Sequence, residues 1–418
     1  MRVHCNCCGL DVHKKTIAAC LITEGVDGDS AIEKRSFGTM TRDLHELAQW
    51  LSEAQVTAVA MEATGVYWIP VWNVLEPYGL KLLLINPEHY KAVRGKKTDM
   101  KDGQRIAELL QDGRLVGSYV PPTGVRVLRD LTRYRGKLVQ YQSAVANRIQ
   151  KLLEQCNIKL ASVASDILGV SAMKMLRALA QGERNPKRMA AMAKMQLRKK
   201  IPQLQLALEG CVLPHHRFLL TEMIEDLDHI EAKIIRIEQE IEEQMRPFQK
   251  SVDAWLTVPG IKHRIAWTLV AEVGPTVESF PSAADIVSWA GICPGNNQTA
   301  GKRKSGTTRD GNPWLRQALC EAAWAASKTK GTYLQAQFRR LSALRGPKRA
   351  LIAVASSILT AGYYMLQRGT KYQDLGPDHF DKRNILRTTK RLVKRLEALG
   401  HKVVLETQFR AEPLQAST

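Results

Sequence analysis

The 418-residue sequence contains no run of apolar residues long enough to span a bilayer, and its start, MRVHCNCCGLDVHKK, lacks the charged-then-apolar order of a secretory signal. Both absences point to a cytoplasmic protein. Negative charge is also scarce: 41 Asp and Glu face 61 Lys and Arg, leaving a formal charge of +20. A folded protein this basic is suited to polyanions, nucleic acid above all. Without a secretory signal, the eight cysteines read as reduced thiols rather than a disulfide framework. Cys5, Cys7 and Cys8, beside His4, lack the second ligand pair of a structural zinc site and sit in a segment that reads as a strand. With 44% hydrophobic and 24% charged residues, the chain is globular and long enough for two or three cores.

Lys97 to Leu110, KTDMKDGQRIAELL, has the marks of a helix start. Thr98 is a suitable N-cap, and Ile106, Leu109 and Leu110 fall at i, i+3 and i+4. Asp99 and Asp102 then lie one turn apart, where like charges repel unless a cation sits between them. Two more carboxylates lie upstream. Asp11 falls within the apolar run Gly9-Leu10-Asp11-Val12, and Glu62 ends the strand-like Val56 to Met61. A carboxylate on a central strand is costly unless paired or bound to metal. Strands are expected at about Val3 to Val12, Thr16 to Ile22, Glu33 to Phe37, Val56 to Met61 and Leu82 to Ile85, with helices over Arg42 to Leu51 and Tyr67 to Leu75. Three meandering strands, alternating helix and strand, then an acidic helix is the ribonuclease H layout. Pairing the first and fourth strands would join Asp11 to Glu62 beneath Asp99 and Asp102, a hard-oxygen site suited to Mg²⁺, typically two ions about 4 Å apart. Lys96, Lys97 and Lys101, interleaved with the acids, are placed to hold phosphates.

Pro121 and Pro122 mark a boundary. Beyond them Leu131, Leu138, Val145 and Leu152 recur every seven residues on a basic helix, and Met223, Leu227, Ile230, Ile234, Ile237 and Ile241 repeat on an acidic one. These seams could pair within one chain or join protomers. Residues 160 to 215 read as helical fragments broken at Gly182 and Pro186, with no assignable chemistry. LTVPGIKHRIAWTLVAEVG has the pattern of a helix-hairpin-helix module, whose turn at Gly260, with Lys262, would let backbone amides approach a phosphate. The loop Asn296 to Gly306 sets Thr299 and Ser305 among glycines and the cations Lys302, Arg303 and Lys304, and a helix from Trp314 to Ala326 carries Arg316. A hydroxyl among glycines and cations is suited to covalent phosphoryl transfer, or simply to gripping DNA. The tail reads as an apolar helix over Ala350 to Leu366, a basic helix over Arg387 to Leu399 and a short strand over Val403 to Leu405.

Together these segments resemble the DEDD transposases of the insertion-sequence one-ten family. Gly9-Leu10-Asp11-Val12-His13-Lys14, Glu62-Ala63-Thr64-Gly65 and Lys97-Thr98-Asp99-Met100-Lys101-Asp102 are similar to its N-terminal blocks. Val258-Pro259-Gly260-Ile261, Gly291-Ile292-Cys293-Pro294 and Gly311-Asn312-Pro313-Trp314-Leu315-Arg316 are similar to its C-terminal blocks. The resemblance implies α/β plus all-α architecture: a RuvC-like, RNase H-like mixed-sheet domain (1–120), a coiled-coil region (121–250), a mainly helical transposase domain with a helix-hairpin-helix (251–345) and a helical extension (346–418). It implies Mg²⁺ held by Asp11, Glu62, Asp99 and Asp102, a serine joined covalently to DNA, a site composed between subunits of a homo-oligomer (dimer or tetramer), and a structured RNA guiding the choice of element ends and target. No membrane partner is implied, and the expected location is the cytoplasm, at the nucleoid. One departure stands out: where the family usually has Ser-Ala-Gly-Lys, this chain has Thr299-Ala300-Gly301-Lys302. Thr299 does the serine's work, Ser305 substitutes, or this copy is impaired; the flanking register favours Thr299. The expected function is RNA-guided, metal-dependent DNA transposition. The alternatives are a hydrolytic Holliday-junction-type nuclease and a non-catalytic nucleic-acid-binding protein.

Overall fold

The computed structural model describes residues 3–24, 30–62, 65–86, 99–293, 297–299, 302–305, 308 and 310–406, with backbone only for 99–100, 297–299 and 302–305. The chain divides at the paired prolines into two compact units, Met1–Pro121 and Pro122–Thr418.

In the first unit β1 (Cys7–Val12), β2 (Thr16–Glu24) and β3 (Ser30–Gly38) form an antiparallel meander. The chain then crosses through α1 (Thr41–Glu53) to β4 (Ala58–Glu62), and through α2 (Trp68–Leu75) to β5 (Lys81–Ile85). The sheet order is β3-β2-β1-β4-β5, with β4 parallel to both β1 and β5. The result is a five-stranded mixed sheet, consistent with an RNase H-like fold. Strand alternation divides β1 between two layers. Cys8, Leu10 and Val12 join the core beneath α1 and α2, whereas Cys7 packs on the opposite face under α3 (Asp99–Gln111), with Cys20, Ala58, Ala60, Ile106 and Leu110. The adjacent Cys7 and Cys8 thus face opposite cores and are fully buried, which burial, the largest influence, reflects in thiols raised to about 11 for Cys7 and well above the ordinary value for Cys8. The first strand begins at Cys7 rather than Val3, because the amides of Val3 and His4 donate instead to the Gln111 carbonyl at the end of α3 (2.7 and 3.3 Å).

The second unit is built on two long helices, α4 (Thr123–Gln155) and α9 (Pro214–Met245), which pack against each other within the chain. Leu138, Val145 and Leu152 of the first seam, and Leu227, Ile234 and Ile241 of the second, are buried. Between them α5 (Leu160–Val163), α6 (Val170–Ala180), α7 (Pro186–Ala191) and α8 (Ile201–Ala207) fill a core closed by Ile149, Met175, Leu204 and Ile224. The stretch without assignable chemistry therefore has a packing role. Next come α10 (Gln249–Leu256), α11 (His263–Val273), α12 (Ala283–Trp289), the hairpin β6 (Asn297–Thr299) and β7 (Lys302–Ser305), and α13 (Pro313–Lys328). α14 (Tyr333–Arg345), α15 (Pro347–Arg368), α16 (His379–Lys382) and α17 (Ile385–Ala398) complete the chain.

Two expectations need correction. The helix α15 is long and apolar enough, by length and composition, to cross a membrane, contrary to the reading that no such segment exists. It packs against α10, α12, α13 and α14 and buries Val354, Ala355, Ile358 and Leu359, as the core helix of a helical layer does. Val403 to Leu405 forms no strand: Val404 and Leu405 are exposed, and among the described residues the unit's named strands are the two of the β6–β7 hairpin, already paired with each other.

Candidate active site

The parallel register of β1 and β4 ends at Leu10 opposite Met61, so one step further along both strands Asp11 and Glu62 lie side by side. The interstrand spacing of such neighbours is about 4.8 Å. Both share parity with residues that face α3: Asp11 with Cys7 and Gly9, Glu62 with Ala58 and Ala60. The two carboxylates accordingly leave the sheet on the same side, toward the helix that carries Asp102.

α3 sits unusually close to the sheet, and glycine permits it. A Cβ at Gly9 would stand 2.3 Å from the Gly103 carbonyl oxygen and 2.5 Å from the Ala107 nitrogen; one at Gly103 would stand 3.0 Å from the Ala18 carbonyl oxygen. The Cys7 thiol donates to the Ala107 carbonyl at 3.6 Å, and the Lys34 ammonium to Gln104 Oε1 at 2.6 Å. These contacts seat the first turns of α3, and with them half-buried Asp102, over the ends of β1 and β4.

Asp11 is 4% exposed, an expensive position for a carboxylate. One compensation was missed in the sequence: His13 Nε2 lies 3.3 Å from Asp11 Oδ2, two residues along and just beyond the strand end. Its signal was its place in the Gly9 to Lys14 block. Asp99 is the first residue of α3, one turn before Asp102, and its side chain is outside the described residues. Among the described residues, no three His, Cys, Asp or Glu side chains gather closely enough to hold a metal ion. The donor set nevertheless fits a hard divalent cation: two adjacent carboxylates at strand ends, a third on the helix above them, and a buried position that disfavours uncompensated negative charge. Lys101 is exposed on α3; Lys96, Lys97 and the expected cap Thr98 lie outside the described residues.

In the second unit the loop of the two hydroxyls is a short hairpin, in which Thr299 pairs with Lys302 at the tip and Ser305 with Asn297 at the base. The side chains of Thr299, Ser305, Lys302, Arg303 and Lys304 are outside the described residues. What the structure adds is the base on which this segment stands. A Cβ on Gly311 would stand 2.4 Å from the Gly291 nitrogen, and the Asn312 amide donates to the Trp289 carbonyl at 3.2 Å, so the chain entering and leaving the segment is pinched together. Asn312 Oδ1 caps α13 by accepting from Trp314 and Leu315 (both 3.1 Å), while its Nδ2 donates to Glu272 Oε2 at 2.6 Å. Glu272 on α11 is fully buried and accepts a two-pronged bond from Arg133 of α4 (Nε to Oε1 and a terminal nitrogen to Oε2, both 2.8 Å). Arg129 donates to the carbonyls of Ala271 and Glu272 at 2.9 and 2.6 Å and lies 5.9 Å from the centre of the Trp289 ring. Sequence reasoning passed over Glu272, yet the signal that exposed Asp11 was present, a lone acid in the apolar run Leu269-Val270-Ala271-Glu272-Val273.

Gly260 adopts φ +89° between α10 and α11, and its missing Cβ would meet the Ala326 nitrogen at 2.5 Å, so the turn is pressed onto α13. Lys262 is exposed at the start of α11, and Arg316 is partly exposed on α13.

The family model described as transposase of the DEDD type for IS110 elements matches residues 8–158, and that described as transposase of the IS116/IS110/IS902 family matches residues 253–339. The chain is 26% identical over 325 residues to a probable family 20 transposase of Pseudomonas aeruginosa, covering 75% of this chain and 85% of the relative. It is 24% identical over 341 residues to the transposase for insertion sequence element IS1111A of Coxiella burnetii, covering 78% and 83%. A putative transposase of Sinorhizobium fredii is 24% identical over 338 residues, covering 78% and 77%.

Proposed function

This chain belongs to the IS110 family of insertion-sequence transposases and is a DNA transposase; from that premise we propose that Asp11, Glu62, Asp99 and Asp102 hold Mg²⁺, two ions, and that Thr299 is the nucleophile. The observation that carries this reading is the register of β1 and β4, which ends at Leu10 opposite Met61 and so brings Asp11 and Glu62 to neighbouring strand ends on the sheet face covered by the Asp102 helix. When bound, the ions supply Lewis-acid stabilisation of charge on the phosphate oxygens. The chain's own contribution is to hold the carboxylates in place through the Gly9–Gly103 contact and to steady Asp11 with His13. In the covalent step the Thr299 hydroxyl oxygen forms a bond to phosphorus as the bond to the departing strand oxygen breaks, and that oxygen takes up the proton. The β-methyl group makes threonine a more crowded nucleophile than serine.

The helix pair α10–α11 acts as a helix-hairpin-helix, with Gly260 and Lys262 at a backbone phosphate. Lys96, Lys97, Lys101, Lys302, Arg303, Lys304 and Arg316 supply further phosphate contacts. α4 and α9 form a coiled coil, and the working enzyme is a homo-oligomer, dimer or tetramer, guided by a structured RNA to element ends and target at the nucleoid in the cytoplasm.

Purified protein with element-end DNA, the cognate RNA and Mg²⁺ should yield a protein–DNA adduct, lost in Thr299→Ala and in Asp11→Asn. An adduct that persists in Thr299→Ala but disappears in Ser305→Ala moves the nucleophile to Ser305. Free DNA ends with no adduct, unaffected by either substitution, identify the hydrolytic nuclease instead. Unchanged DNA with intact binding in Asp11→Asn identifies the binding protein.

A further inference from the structure

A cavity of about 1120 Å³ lies in the second unit, walled by α4, by the Gly260 turn with the first turn of α11, and by α13. Ile261, Val139, Ala318 and the Trp314 indole make its floor apolar. The indole is held there by a glycine in mid-helix: a Cβ on Gly136 would stand 2.8 Å from the ring, so α4 accepts the roughly 1 kcal/mol helix penalty of glycine to seat it. The rim has a different chemistry. Lys262, His263 and Arg264 are exposed along it, the N-cap residue Lys262 makes no side-chain capping bond to α11, and Gln140 and Asn147 line it from α4.

The charges on the rim are arranged. Glu238 of α9 accepts from Arg135 at 2.7 Å and from a terminal nitrogen of Arg264 at 3.1 Å, with Arg264 Nε also 2.8 Å away in ion-pair contact, so one carboxylate fixes two guanidiniums and leaves a surplus positive charge. Lys262 adds another. Opposite them, Glu321 is the one acid among the described lining residues, and it accepts from Gln317 at 3.0 Å.

An apolar floor under a cationic rim suits a strand whose bases point in and whose phosphates point out. The volume is somewhat above the ~300–1000 Å³ of small-ligand sites, which fits a short unpaired stretch. A duplex, whose major groove alone is about 12 Å wide, has no means of turning its stacked, paired bases toward such a floor.

We propose that this groove seats an unpaired segment of nucleic acid, its phosphates on Lys262, Arg264 and the α11 amides and its bases against the floor beside Trp314. The inference rests on the reading that the chain handles nucleic acid, and it adds where a single strand is held. Glu238 acts as a positioning residue that presents Arg264 to the phosphates.

The test is fluorescence anisotropy with the full chain and three labelled probes: oligo-dT, oligo-rU and a duplex of equal length. Ser143 and Ala144 line the groove from exposed positions on α4, so Ser143→Trp and Ala144→Trp block it without disturbing a core. Each should weaken single-strand binding at least tenfold while leaving duplex binding within twofold. Lys262→Ala should lower the salt slope for single strands by about 0.7. Loss confined to oligo-rU identifies the occupant as RNA, and loss confined to oligo-dT as an unpaired DNA strand. Single-strand binding unchanged in both tryptophan variants, or falling in step with duplex binding, overturns the groove assignment. A wild-type chain that binds no probe at all overturns instead the nucleic-acid reading beneath it.

Discussion

Replacing Gly9 with alanine tests whether the acidic helix is seated by backbone contact. The added Cβ would stand 2.3 Å from the Gly103 carbonyl oxygen and 2.5 Å from the Ala107 nitrogen, both backbone atoms of α3 that cannot swing aside. Relieving the clash to an ordinary van der Waals separation needs a movement of about 1 Å between sheet and helix. Overpacking of this kind costs about 1–3 kcal/mol. The same displacement carries Asp102 away from Asp11 and Glu62, and misplacement of about 1 Å can cost on the order of a hundredfold in rate. Gly124→Ala is the control, because a Cβ there meets only the Phe248 ring at 3.5 Å. Thermal melting and Mg²⁺-dependent cleavage of element-end DNA are the assays. If Gly9→Ala melts and cleaves like Gly124→Ala, the glycine contact does not set the height of α3 and the account of the site is wrong.

Three further outcomes follow from the geometry. Glu272→Gln removes the carboxylate partner of Arg133 and Arg129, whose side chains are 37% and 12% exposed, and should destabilise the second unit by about 1–3 kcal/mol, measured by denaturant unfolding, whereas Glu240→Gln on the exposed face of α9 should not. The Arg177–Asp228 ion pair joins α6 to α9, and the hydrogen bond from Arg177, its largest influence, holds the Asp228 carboxyl below its ordinary value. A depressed folded-state value means the pair's contribution is complete above the unfolded pKa near 3.9 and is lost as pH falls through the lower folded value; because both groups are nearly half exposed, melting of Asp228→Asn should differ from wild type by less than about 1 kcal/mol at pH 7 and converge with it in strong acid. Maleimide labelling followed by mass spectrometry should modify exposed Cys5 and Cys211 in the native protein at pH 7, and reach Cys7 and Cys8 only after unfolding, since burial both shields those thiols and raises them.

Much of the first unit was legible because its information is local. Alternation of side chains marks a strand and the 3.6-residue period marks a helix, so the order of β1 to β5 and the helix from Asp99 could be read directly. Asp11 was conspicuous because water-seeking charge in an apolar run always requires an explanation. Glu272 obeys the same rule, but the run around it looked like an ordinary helix core, and its partners Arg129, Arg133 and Asn312 lie 40 to 143 residues away. Similarly, heptads disclose that a helix has an apolar seam without naming the surface that fills it; in the fold α4 packs against α9 within the chain, and Val145, Leu152 and Leu227 share one core with α5 to α8.

The sequence by itself determined the element order of the first unit, the basic character suited to nucleic acid, and the identity of the acids and hydroxyls available for chemistry, since each of these is a property of residue type and near-neighbour spacing. Only the tertiary structure decided which face of the sheet Asp11 and Glu62 share, because that depends on a parallel register between strands about fifty residues apart. It alone disclosed the contact at Gly9 and Gly103, the buried Glu272 carboxylate bound by Arg133 and Asn312, and the groove beside Trp314. Those features arise where distant backbones meet, and no local period records such a meeting.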